Sequence, residues 1–176
     1  MNHKAFTLIE LLISITIFSI IMASLYPIFV QITTFNQENY IRTILIDNLR
    51  VGMDRITREL REALEVEINE DGNEIIFLHP NPQNPSNRER IRYRLSESSY
   101  TIKTFPNCKQ ISRDIWNGKS WEGANPITEP IVSDIIFKRS CQLIKVCIIS
   151  NVQLRLKSNP QEYIYLGSVS ARNALP

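Results

Sequence analysis

From Leu11 to Val30 the chain has no Asp, Glu, Lys, Arg or His. A helix over the roughly 25 residues from Phe6 to Val30 reaches roughly 37 Å, enough for a hydrocarbon core of about 30 Å and more than a soluble core helix needs. No small-residue A-x-A pattern follows the run, and the run is too long for a secretory h-region, so a cleaved signal peptide is excluded. A formal net charge of only +2 in 176 residues is too small to imply a partner, since a protein built to coat nucleic acid carries a larger and more clustered basic excess. Neither His3 nor His79 lies beside a nucleophile motif, and G-x-S-x-G and phosphate-loop patterns are absent, so the sequence reads as a non-enzyme with no cofactor. The 3 cysteines lack zinc-ligand spacing. Glu67, Glu70, Asp71 and Glu74 around Gly72 lack the ligand series of an EF-hand and read as a polar hairpin turn. No metal site is expected.

Inside the apolar run stands one acid, Glu10. A carboxylate is costly at the bilayer centre and less so near the end of a span, so it is either a tolerated, snorkelling side chain or a functional one. The stretch KAFTLIELLISITIF, with Lys4 before the run, small Ala5, then Phe6, and Glu10 fifth counting from Phe6, resembles the N-terminal signal of type IV prepilins and pseudopilins. The resemblance implies cleavage by a prepilin peptidase between Ala5 and Phe6 and methylation of the new Phe6 amine. The position before the cut is Ala5, where that family usually has Gly. It also implies assembly with other pilins through the retained helix, with Glu10 facing the Phe6 amine of the same or an adjacent subunit and Pro27 bending the helix. His3, Lys4 and the initiator amine precede the span, and the next charges, Glu38 and Arg42, follow it, so the N-terminus is expected in the cytoplasm and the rest outside. The result is a single-pass membrane protein.

Beyond the span, Leu49, Met53, Ile56, Leu60 and Ala63 recur at steps of four and three and predict one face of a helix, with Asp54 and Arg58 in the favourable i,i+4 order. The expectation is one long helix from about Thr7 to Leu64 whose stripe packs on a β-sheet. From Val66 the texture becomes short alternating runs: EVEI and EIIFL around Asp71-Gly72, IRYRL and YTIKTF around SESS, then DIIFK, LIKVCII, VQLRL and EYIYL. The fold class is α+β, a helix on an antiparallel sheet. The expected organisation is a leader (1–5), a membrane or filament-core helix (6–30), an amphipathic helix (31–65) and a β-rich head (66–176). The segment 79–87 reads as an exposed loop, and 106–130 as a long connection carrying Trp116 and Trp121. RVGMDRITRELREA, IRYRL and the ending SVSARN resemble J-type minor pseudopilins and W-type minor pilins.

Arg88, Arg90, Arg92 and Arg94 alternate, so a strand projects all four from one face. They are candidates for an anion or nucleic-acid contact, as in DNA uptake, or for a solvated outer face. Ile91, Tyr93 and Leu95 project from the other face, so no aromatic is expected to interleave on the arginine face. Of the cysteines, Cys141 and Cys147 cannot bridge along one strand, and a turn at 139–142 makes Cys108 with Cys141 the candidate disulfide, against buried free thiols.

Overall fold

The computed structural model describes residues 7–81, 87–141, 143–153 and 159–171. Among the described residues the chain forms one helix, α1 (Leu8–Arg61), then β1 (Glu65–Ile68), β2 (Glu74–Pro80), β3 (Arg88–Ser96), β4 (Gln110–Trp116), β5 (Trp121–Pro126), β6 (Asp134–Ser140), β7 (Leu143–Val152) and β8 (Gln161–Ser170). The arrangement is α+β and pilin-like: a long N-terminal apolar helix with antiparallel sheets. Two compact units divide it, Met1–Thr43 and Ile44–Pro176, and α1 is continuous through the boundary.

In the first unit every described residue from Thr7 to Thr33 is exposed. This is the pattern of a helix whose apolar surface is made for lipid or for other helices rather than for its own fold. Pro27 lies inside the helix. In the second unit α1 becomes one-sided: Leu45, Leu49, Met53, Ile56 and Leu60 are buried, and Ala63 just beyond its end is fully buried. The helix closes with tighter i→i−3 bonds, Glu62 N to Glu59 O and Ala63 N to Leu60 O, both 3.2 Å, before Leu64 N donates to Leu78 O (2.9 Å) and the chain enters the sheet.

The first sheet is a meander in the order β1-β2-β3-β4-β5, the second has the order β6-β7-β8, and every pairing is antiparallel. Period-2 patterning sets which face is buried. Ile75 and Phe77 of β2 sit opposite Tyr93 and Ile91 of β3 on the inner face, and all four are buried. The β1–β2 turn needs Gly72 at φ 73°; Gly72 N donates to Asn69 O (3.0 Å), while Gly72 O accepts from Phe137 N of β6 (2.6 Å), which ties the two sheets together.

Gly52 marks the closest approach of α1 to the β5–β6 connection. A methyl there would lie 2.7 Å from Thr128 Cγ2, and Thr128 is held because its Oγ1 accepts from Ile111 N (2.9 Å). Gly52→Ala gains about 1 kcal/mol of helix propensity but overpacks a fixed contact at a cost of about 1–3 kcal/mol. The expected outcome is a lower melting temperature of the second unit; a raised one would show that Thr128 gives way.

Three expected elements are corrected. Residues 100–105 form no strand: Phe105 N closes a turn onto Ile102 O (2.8 Å), Phe105 is buried, and the second neighbour of β3 is β4. The segment 106–130 is not a connection but contains the β4–β5 hairpin. The expected loop 79–87 begins as strand: β2 runs to Pro80 and His79 is buried, while 82–86 lie outside the described residues. Of VQLRL, Val152 ends β7 and 154–156 also lie outside them.

Candidate functional site: the N-terminal signal and the charged face of the head

Ala5 and Phe6, the expected cleavage and methylation positions, lie outside the described residues. Immediately after them the helix starts on a capping box. Thr7 N and Oγ1 donate to Glu10 Oε2 at 2.9 and 2.8 Å, and Glu10 N donates to Thr7 Oγ1 at 3.4 Å. Thr7 is thus the N-cap and Glu10 the N3 residue, each satisfying a backbone donor that the first turn leaves orphaned. The T-x-x-E pattern at 7–10 is the sequence signal of such a box, a local role for Glu10 beside the one that the family resemblance implies. Both bonds to the carboxylate fall on Oε2; among the described residues none falls on Oε1.

The remaining serine and threonine hydroxyls of the span turn inward on the helix itself. Ser14 Oγ donates to Glu10 O (2.8 Å), Thr16 Oγ1 to Ile13 O (2.8 Å), Ser19 Oγ to Ile15 O (2.8 Å) and Ser24 Oγ to Ile21 O (2.7 Å). Back-bonding of this kind satisfies serine and threonine without water, so the outer surface is compatible with hydrocarbon. By length and composition this helix can cross a membrane.

In the second unit the arginine row lies on β3, as expected, but its chemistry is internal. Arg90 Nη2 meets Glu67 Oε2 at 2.8 Å. Asp114 Oδ2 accepts from Arg92 Nε (2.9 Å) and Nη2 (2.6 Å) and from Arg94 Nε (2.8 Å), and Arg92 Nη1 lies 3.9 Å from Glu74. An aromatic does join this face. The Trp121 ring lies 4.4 Å from the Arg92 guanidinium carbon, and Trp116 and Trp121 meet edge to face with centroids 5.4 Å apart. Asp114 is 1% exposed. Burial pushes its carboxyl up, but the hydrogen bonds and charges of Arg94 and Arg92 outweigh this and hold it below the usual carboxylate range. Three of the four arginines therefore hold carboxylates of the same face, which makes the row an ion-pair ladder and weakens its claim as an anion contact.

The inner face carries a second ion pair. Glu59 of α1 accepts from Arg113 Nε of β4 at 3.2 and 3.0 Å, and both side chains are 13% exposed. The Tyr93 hydroxyl is buried beside this pair, and burial followed by the Glu59 charge pushes its ionisation well above the ordinary phenol value.

The three cysteines are free thiols, so the expected Cys108–Cys141 bridge is not formed. Cys108 is buried with Sγ donating to Asn151 O (3.7 Å), and burial raises its thiol. Cys141 is exposed on the β6–β7 turn at φ 55°. A cleft of about 360 Å³ between Glu74, Arg94, Lys109 and Asp134 carries both signs of charge and selects no ligand. Among the described residues no cluster of His, Cys, Asp and Glu could hold a metal ion.

Residues 1–26 match the family model described as the prokaryotic N-terminal methylation motif. The chain therefore carries a type IV pilin-type signal, which implies processing by a prepilin peptidase and assembly with other pilins. The apolar helix that follows fits the membrane anchor of such a protein. No curated protein and no solved structure matches the chain.

Proposed function

We propose that the chain is a minor pilin or pseudopilin of the J-type or W-type kind, a structural subunit rather than an enzyme. The peptidase removes residues 1–5, the Phe6 amine is methylated, and the apolar part of α1 carries the subunit from the membrane into a type IV pilus or a type II secretion pseudopilus, near the tip. The N-terminus starts in the cytoplasm and the head lies outside it, with Pro27 as the bend point of the helix.

The observation that carries this reading is the pairing of the methylation motif over 1–26 with a carboxylate at Glu10 whose Oε1 accepts no bond among the described residues. In a filament core of packed apolar helices an unpaired carboxylate is unfavourable, and a cationic Phe6 amine about 4 Å away satisfies it. Such pairing favours assembly and fixes register. Mass analysis of the N-terminus of protein isolated from its own host tests the reading. A mature chain beginning at Phe6 and carrying one methyl group is expected; a chain that keeps residues 1–5 in assembled filaments overturns it.

A further inference from the structure

The outward face of the β6-β7-β8 sheet sorts its side chains along the strands. At one end Lys138 stands directly opposite Lys145, which in turn stands opposite Ser168. The next row is Ile136, Cys147 and Leu166, then come Asp134, Ile149 and Ile164, and the far end pairs Asn151 with Glu162. Positive charge thus occupies one end, apolar side chains the middle and negative charge the other end.

Two features mark this face as unfinished within a single copy. Leu166 and Ile164 are 73% and 57% exposed side by side, although Gly167, next to Leu166, is packed tightly on Met53 of α1. Two lysines directly opposite each other repel, and among the described residues neither forms an ion pair with a carboxylate, nor do Asp134 and Glu162 with a cation. The first sheet behaves differently, since Arg90, Arg92 and Arg94 there all meet acids. Asp134 and Glu162, in that order after burial, push the Cys147 thiol up and Lys138 draws it down, so both ends of the gradient are felt at the centre of the face. The β6 edge is tied to the β1–β2 turn through Phe137 and Gly72, whereas β8 has no further strand beside it among the described residues.

We propose that this face takes a second copy of the chain in a two-fold arrangement, the Lys138–Lys145 end of one copy lying over the Asn151–Glu162 end of the other. A two-fold axis in the plane of the face and across the strands turns the gradient end for end. The same rotation sets Leu166 of one copy against Ile164 of the other, so attraction and burial are satisfied twice by one operator. The face spans about 20 Å along β7 and about 15 Å across three strands. That is about 300 Å² per copy, below the roughly 800 Å² per partner of a stable interface. The dimer is therefore weak in dilute solution and forms where a shared bilayer raises the local concentration. This goes beyond the pilin reading and does not depend on leader processing.

The test uses the full, uncleaved chain reconstituted in liposomes and a zero-length amine-to-carboxyl crosslinker, with the dimer band as readout. Lys145→Glu and Glu162→Lys are each expected to lower the dimer about tenfold, because a single swap puts like charges at both symmetry-related contacts. The double swap, or a mixture of the two single variants, is expected to restore it. Leu166→Asp, at a position exposed enough to leave the fold intact, is expected to abolish it. Single variants that crosslink like the parent, a double swap that stays monomeric, or a product that forms only when a different pilin-like chain is added would each overturn the proposal. None of these outcomes bears on whether residues 1–5 are removed in the host.

Discussion

Glu10→Val is expected to leave the chain in the membrane at parental levels while its incorporation into filaments falls about tenfold or more, since removing one member of a desolvated charge pair leaves the other uncompensated. Valine makes the span more apolar, so insertion gains. What the variant loses is twofold: the two bonds that Glu10 Oε2 accepts from Thr7 N and Oγ1, and the negative charge itself. Glu10→Gln separates the two. Glutamine serves at N3 of a capping box as well as glutamate does, so it keeps the helix start but offers an amine no charge. The expected result is that Gln fails in assembly as Val does. Membrane fractionation beside quantification of the subunit in sheared filaments gives both readings from one culture. If Gln assembled like the parent and Val did not, the carboxylate would be a cap and the charge-pairing mechanism would be wrong.

What could be read from residue order and what could not divides along physical lines. The stripe Leu49, Met53, Ile56, Leu60 and Ala63 was legible because helical burial repeats within a few residues of itself, and all five are buried. The alternation of β2 and of Ile91 and Tyr93 was legible for the same reason. The β4–β5 hairpin was not. Its inner and outer positions are both tightly packed, with buried Ser112 and Asp114 standing where an apolar alternation would be sought. The Asn117-Gly118 turn between Trp116 and Trp121 was the available signal: Gly118 takes φ 94°, and Asn117 Oδ1 accepts from Lys119 N and Ser120 N, both at 2.8 Å. YTIKTF alternates just as convincingly and forms no strand, because β4 already occupies the free edge of β3. Alternation states a capacity for pairing, and the competing strand decides. The arginine row shows the same limit: its spacing was legible, but its partners Glu67 and Asp114 come from other strands, and only their arrival turns three of the four cations into an ion-pair ladder.

The centre of that ladder carries the largest expected effect on the head. Asp114 receives three hydrogen bonds on Oδ2 from two guanidinium groups, its side chain is 2% exposed, and those of Arg92 and Arg94 are 17% and 33% exposed. Removing one member of a buried pair costs about 3–5 kcal/mol. Here Arg94 can turn toward water, and Arg92 keeps Trp121 and the distant Glu74, so Asp114→Ala is expected to cost about 2–3 kcal/mol and to lower the melting temperature by about 10 °C. The effect should depend on pH in a stated direction. Because the folded carboxyl titrates below its unfolded value near 3.9, its contribution is fully present above that value and is lost as pH falls through the folded one. Parent and variant should therefore differ most at neutral pH and converge in strong acid. Thermal unfolding of the full chain in detergent, followed by tryptophan fluorescence, reads this directly, since Trp121 stacks on Arg92. An unchanged melting temperature at neutral pH would show that the two arginines find water as readily as they find Asp114. A difference that persists undiminished in strong acid would assign the loss to packing around Asp114 rather than to its charge.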